Sequence, residues 1–230
     1  MYTSMLRESA FRGTAATNKV LRNTFLLLAL TLLPTILGVY LGIDLGVPEL
    51  MRESPWLSLG GFLLLAFSFL FGIHLTANHA VAIPLTLLFT FVMGGGMSGL
   101  ISLALGVTNG AGLIALAFAG TCAALVGCSA YAATTKRDFS GMGGFLLGAV
   151  LAIVVVGVLN ILLQLSWLVV LLAAVALVVF TVFLIYDVQQ VVNGGQDNYV
   201  LATVGIYLDL LNIFSSLLQL LLAFTGFGDD

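Results

Sequence analysis

Apolar residues along this chain follow neither the two-residue alternation of a half-buried strand nor a single stripe at helical period. They run on for about 20 positions at a time, break, and resume, seven times over. A hydrocarbon core of about 30 Å is crossed by about 20 apolar residues in a helix. The runs at approximately 24–43, 56–76, 80–105, 111–133, 144–164, 167–186 and 200–224 are therefore predicted to be membrane-spanning helices. Strands of a membrane barrel would alternate apolar and polar residues over about ten positions, and these runs are continuously apolar. The connections are too short to hold a second domain, and no internal repeat is visible. The reading is an all-α membrane protein, a seven-transmembrane-helix bundle over residues 24–225, with an arm at 1–23 and a short tail at 226–230.

Composition agrees. The 230 residues are 61% hydrophobic and 7% charged, against about 25% charged in ordinary soluble domains. No Asp, Glu, Lys or Arg lies between Glu53 and Lys136, or between Asp138 and Asp187. The net charge of −3 matters less than its distribution: Arg7, Arg12, Lys19 and Arg22 precede the first run. By the positive-inside rule that end is cytoplasmic. The loop with Asp44, Glu49, Arg52 and Glu53 is then external, Lys136 and Arg137 return inside, and Asp229 and Asp230 end outside. A cleaved signal peptide is disfavoured, because the first run exceeds a signal's apolar region of about 7 to 15 residues and no small-residue cleavage site follows. The arm is expected to lie against the cytoplasmic leaflet or to be gripped by a protein. No nucleic-acid partner is expected.

Most polar and small residues inside the runs have structural readings. Pro34 is expected to kink the first span. His74 and His79, five apart, do not share a helical face and lack further ligands, so interfacial roles are favoured over a metal site. The glycines at 94–96 and 99 are expected to permit close helix packing, with Gly95/Gly99 and Gly144/Gly148 as GxxxG pairs. Cys122 and Cys128 are read as small buried hydrophobes. Asn160 and Gln164 are expected to hydrogen-bond across to another helix, and 193–198 to form a turn with Asp197 solvated. No C-x-x-C, H-E-x-x-H or G-x-S-x-G motif occurs, and the spans offer no nucleophile with a base beside it. The chain is not read as an enzyme.

Two acids stand apart. Asp187 ends the sixth run, and Asp209 lies about eight residues into the seventh, roughly 12 Å along a helix. Asp209, Asn212, Ser216 and Gln219 follow an i, i+3, i+7, i+10 spacing that gathers them on one face. An ionisable group inside a membrane helix normally faces the bundle interior or a water-filled cavity. The seventh helix is therefore expected to be central, its polar face turned inward. The sixth and seventh spans are antiparallel neighbours, so Asp187 and Asp209 can meet. Two carboxylates brought together share a proton or hold a cation, and both states depend on pH. Calcium, which prefers hard oxygen ligands, fits such a pair completed by Asn212, Ser216 or backbone carbonyls. The alternative places Asp187 among headgroups and has Asp209 hydrogen-bonded by Tyr186, Tyr207 or Asn212. No Lys or Arg lies within any span to act as counter-charge.

The last stretch carries I-Y-D at 185–187 and A-T-x-x-x-Y-L-D-x-x-N-x-F-x-x-L-L at 202–218. It resembles the Bax inhibitor-1, or transmembrane Bax-inhibitor-motif, family. T-N-K-V-L-R-N-T at 17–24, C-S-A-Y-A-A-T-T at 128–135 and G-G-Q-D-N-Y at 194–199 are similar to the bacterial branch named for YccA. The resemblance implies seven helices with the last enclosed by the others, and a bacterial cytoplasmic-membrane location. From members with the acid pair it implies a pH-sensitive calcium leak latched by the residues matching Asp187 and Asp209. From the YccA branch it implies instead restraint of the membrane AAA protease FtsH through the N-terminal arm. The sequence departs from the leak pattern in one respect: the second span, 56–76, carries no arginine to partner the acids, and His74 is the nearest titratable group.

Overall fold

A computed structural model describes the backbone of residues 2–226 and the side chains of residues 18–225; residues 227–230, and with them most of the expected tail, lie outside the described residues. The described chain is helical almost throughout. Its helices are α1 (Tyr2–Asp44), α2 (Val47–Glu53), α3 (Pro55–Thr76), α4 (Ala82–Leu105), α5 (Gly110–Thr134), α6 (Gly143–Leu163, entered by a 3-10 turn at Ser140–Met142), α7 (Ser166–Val192) and α8 (Tyr199–Gly226). Seven stretches are long and apolar enough to cross a membrane: Asn18–Asp44, Pro55–Thr76, Ala82–Leu105, Gly110–Thr134, Ser140–Leu163, Ser166–Val192 and Tyr199–Thr225. Large apolar side chains such as Leu33, Phe67, Phe71, Phe145 and Trp167 lie more than half exposed on their outer faces. That pattern suits hydrocarbon as the surrounding solvent.

The breaks have local causes. Gly46 in the left-handed region (φ 74°) turns the chain after α1, and Pro48 stands second in α2 and Pro55 first in α3, within the first turn, where a missing N–H costs no intrahelical hydrogen bond. Asn109 (φ 59°) and Gln164 (φ 52°) make the corresponding left-handed turns before α5 and after α6. α1 continues through Pro34 as one helix.

α1 packs along α4, α7 along α8, α5 on both α7 and α8, α3 on α4, and α6 on α7; α8 also meets α1 and α4. The α1–α4 approach is a backbone contact. A methyl group added at Gly38 would strike the Phe91 carbonyl, and one added at Gly94 the Thr35 carbonyl. The close packing expected of the glycine run is met at Gly94, which with Gly38 makes the α1–α4 approach, rather than through the Gly95/Gly99 pair. A methyl group added at Gly95 would meet nothing nearer than the Gly38 carbonyl at 3.9 Å, and one added at Gly99 would lie 3.1 Å from the Met51 sulfur of α2.

Three other expectations need correction. Gly144 and Gly148 have nothing within 4 Å, because α6 uses the opposite face, Leu146, Val150 and Ile153, to pack. Cys128 is buried with its thiol 3.9 Å from the Thr181 carbonyl of α7, but Cys122, a third of a turn off that face, is exposed. Asn160 does not cross the bundle: its amide bonds the backbone N–H and carbonyl of Leu165 at 3.0 and 3.3 Å, closing the α6–α7 turn. His74, His79 and Asp197 are exposed, as the sequence led one to expect.

Candidate functional site

The site is built on the α7–α8 hairpin. α7 does not stop at Tyr186 but runs to Val192, so Asp187 lies more than a turn inside the helix rather than at its end. The extra turn forms because its inner face is covered: Val188 and Val191 are buried, and so is Gln189. The Gln189 amide is satisfied by another connection. Its Oε1 accepts the Phe139 N–H at 2.8 Å and its Nε2 donates to the Arg137 carbonyl at 2.7 Å, so the α5–α6 link is drawn onto α7.

α8 begins with an N-cap. Asn198 Oδ1 accepts the N–H groups of Val200 and Leu201 at 2.9 and 3.2 Å, two of the donors that a helix start leaves free. The same side chain donates to the Ala77 carbonyl at 2.9 Å and to Asn78 Oδ1 at 3.1 Å. The α3–α4, α5–α6 and α7–α8 connections are therefore tied together at one end of the bundle.

Two adjoining cavities open at that end. One, of about 330 Å³, is lined by Tyr186, Asp187, Gln190, Gly195, Gln196, Leu201 and Ala202. The other, of about 240 Å³, is bounded by Asp138, Ser140, Gln189 and Asn193, and shares Gln190 and Gly195 with the first. Asp138 is exposed and outside the spans; the Ser140 N–H donates to it at 2.9 Å and holds its carboxyl below the usual range.

Deeper along α8 the polarity changes character. Asp187, half-buried, rests its carboxylate against Gly205. One turn further, on the same face, Asp209 is 4% exposed and its Oδ2 has no hydrogen-bond partner. The structure thus brings the two acids to one face of α8. Of the remaining polar face, Ser216 is buried, and Asn212 and Gln219 are partly so. The Asn212 amide donates to the Leu208 carbonyl of its own helix at 2.8 Å.

The proposed hydrogen-bonding partners of Asp209 are engaged elsewhere. Tyr207, two residues away and so about 200° round the helix, turns to α1 and α4. Its hydroxyl lies 2.9 Å from Thr35 Oγ1 and donates to the Thr90 carbonyl at 3.3 Å, with its ring edge-on to Phe89. Tyr186 lines the outer cavity, its hydroxyl beside Gly143 of α6. Among the described residues, no three His, Cys, Asp or Glu side chains gather to hold a metal. A cation here would draw on the two carboxylates, Asn212, Ser216 and backbone carbonyls.

Sequence reasoning did not single out Gln189, Asn198, Gly205 or the Thr35–Tyr207–Thr90 contact. Asn198 had a signal, a capping residue directly before an apolar run. Gly205 had one too, as a glycine in the interior of a helix. Gln189 and Thr35 had none, since their partners lie 50 and 172 residues away in sequence.

Seven apolar helices with a buried acid on the last define a polytopic helical membrane protein with an ionisable core. Comparison with known proteins names the family: residues 17–226 match the family described as inhibitor of apoptosis-promoting Bax1, and the chain belongs to this Bax inhibitor-1 family. It is 34% identical over 206 residues to the Escherichia coli K12 protein named modulator of FtsH protease YccA, covering 90% of each chain. It is 33% identical over 215 residues to a membrane protein of Vibrio cholerae, covering 94% of each. A Pseudomonas aeruginosa protein is 31% identical over 211 residues, covering 92% of this chain and 91% of that one.

Proposed function

We propose that this chain is a bacterial inner-membrane protein that gives a pH-sensitive leak for calcium or another cation, with Asp187 and Asp209 as its proton and cation site. The supporting observation is Asp209, 4% exposed, its Oδ2 without a donor, one turn from the glycine on which Asp187 rests. An isolated ionised carboxylate in apolar surroundings costs several kcal/mol, and the basic residues of the spans, Lys19 and Arg22 at the start of the first, are exposed and do not offset it. The counter-charge is then a proton or a mobile cation, and the two compete for the same oxygens. In this reading α8 is the inner helix of the bundle, Asp187 is reached through the polar cavity, and Asp209 is sealed behind it. The N-terminus is cytoplasmic and the C-terminus external.

Calcium uptake into proteoliposomes, followed from about pH 6 to about pH 8, tests this. The expected result is a flux that depends on pH and loses that dependence in Asp187→Asn. Folded protein that passes no calcium at any pH would overturn the reading.

A second reading is a non-conducting modulator of FtsH. It is supported by the name of the Escherichia coli relative and by the helical backbone of α1, which runs from Tyr2 through the polar, basic stretch ahead of the first apolar run at about 24–43. Deleting residues 2–16 is expected to relieve restraint of the protease on membrane substrates. Unchanged proteolysis after both deletion and overproduction would end this reading.

A further inference from the structure

α8 has one glycine between Tyr199 and Thr225, at position 205. Glycine in a helix interior gives up helix stability, and in membranes its usual return is close approach of another group. At Gly38 and Gly94 that group is a neighbouring backbone. At Gly205 it is not. The three atoms nearest to a Cβ built there all belong to the Asp187 carboxyl: Oδ2 in collision, Cγ at 3.3 Å and Oδ1 at 3.9 Å. The gap in α8 is therefore shaped to one side chain.

Its position along α8 decides what the gap accomplishes. Gly205 precedes Asp209 by four residues, so the two stack on one face. Ala202, three residues before Gly205, also lines the outer cavity. A small-residue step thus leads from the cavity along α8 to the buried acid, and Asp187 of α7 occupies it.

We infer that Gly205 is a positioning residue: by lacking a side chain it seats the Asp187 carboxylate on Asp209's face of α8, and the two acids act as a pair only while that seat is open. This rests on the acid-pair reading above, but it concerns the coupling of the acids rather than conduction. Among the described residues, the other titratable or charged groups on the helices around α8 leave the seat itself to these two, and the buried Cys128 thiol of α5 lies within electrostatic reach of Asp209. Cys128 is buried on α5, and Cys122 and Tyr131 of α5 are exposed. Tyr186 lies on α7 against α6, Tyr207 turns to α1 and α4, and α4 carries no titratable side chain. On α1, Lys19 and Arg22 are exposed, and Tyr40 and Asp44 lie toward its far end.

The test is Gly205→Ala in lipid nanodiscs, with carboxyl protonation followed by infrared difference spectroscopy across pH and calcium flux measured in parallel. The Asp209 midpoint is expected to move toward that of Asp187→Asn by about half a pH unit or more, a threefold change in proton affinity. In the Asp187→Asn background, Gly205→Ala is expected to add nothing. A folded Gly205→Ala protein that titrates like the parent would overturn the inference, as would an equal shift in both backgrounds. If Gly205→Ala fails to fold, the Asp187→Ala/Gly205→Ala double variant decides. Recovery of folding supports the seat, because the added methyl then meets no carboxylate; failure of both means that the gap serves something other than Asp187. Coupled titration without flux would leave Gly205 in its role and remove only the leak.

Discussion

Gly94→Ala is expected to cost about 3 kcal/mol or more of bundle stability, at the top of the range for overpacked cores, because the added methyl meets the Thr35 carbonyl rather than a side chain that could move aside. Gly38→Ala should behave alike through the Phe91 carbonyl. Gly144→Ala and Gly148→Ala, with nothing within 4 Å, should stay within about 0.5 kcal/mol of the parent, as open sites do. Unfolding in detergent micelles by heat or by added SDS separates the two sets, and equal losses in both would refute the α1–α4 contact. The effect should reach the site as well. Thr35, whose carbonyl blocks position 94, also bonds the Tyr207 hydroxyl through its own hydroxyl. Thr203 makes a second tie, its hydroxyl donating to the Thr24 carbonyl of α1. Moving α1 away from α4 therefore loosens the grip on α8 two residues from Asp209.

The spans were legible because hydrocarbon imposes a length and forbids unpaired backbone, and the seven apolar runs met both demands without reference to any partner. The ends of the runs were harder. Asp187 looked like a terminus because Gln189 and Gln190 follow it, yet the helix continues, since the Gln189 amide is satisfied by the backbone of the α5–α6 link. The short connection between the first two spans also proved to hold a helix, α2, with Pro48 in its first turn and an exposed Glu49–Arg52 pair at 3.2 Å.

The candidate site was legible as a pair of acids, because charge inside an apolar run stands out whatever its neighbours are. Its surroundings were not. Tyr207 is two residues from Asp209 in sequence and on nearly the opposite side of the helix, where Thr35 and Thr90 hold it. Asn160 looked like a bridge between helices, but the left-handed turn at Gln164 brings Leu165 back within its reach. Which face of a membrane helix meets protein and which meets lipid depends on partners far away in sequence, and nearly uniform hydrophobicity hides that choice. Gly144 and Gly148 carried the same motif as a packing pair, and only the position of α7 decides that they face outward.

Asp209 is expected to be a residue that the fold would be more stable without. Its carboxyl is buried and its Oδ2 lacks a donor, and a buried polar atom left unpaired costs about 1 to 3 kcal/mol. Asp209→Val, which removes the orphaned oxygen with a modest change in volume, should therefore raise resistance to unfolding by about 1 to 2 kcal/mol. Asp209→Asn should gain less, since its amide inherits the missing partner. Both variants should flatten the dependence of calcium flux on pH, because neither can exchange a proton for a cation at that position. Stability and flux measured on the same preparations separate the possible roles. If Asp209→Val unfolds more easily and its flux still follows pH, the acid is a structural element with partners of its own and the gate lies elsewhere. If the variant is sturdier and insensitive to pH, the stability forgone at position 209 is what the protein gives up to keep an exchangeable charge inside its bundle.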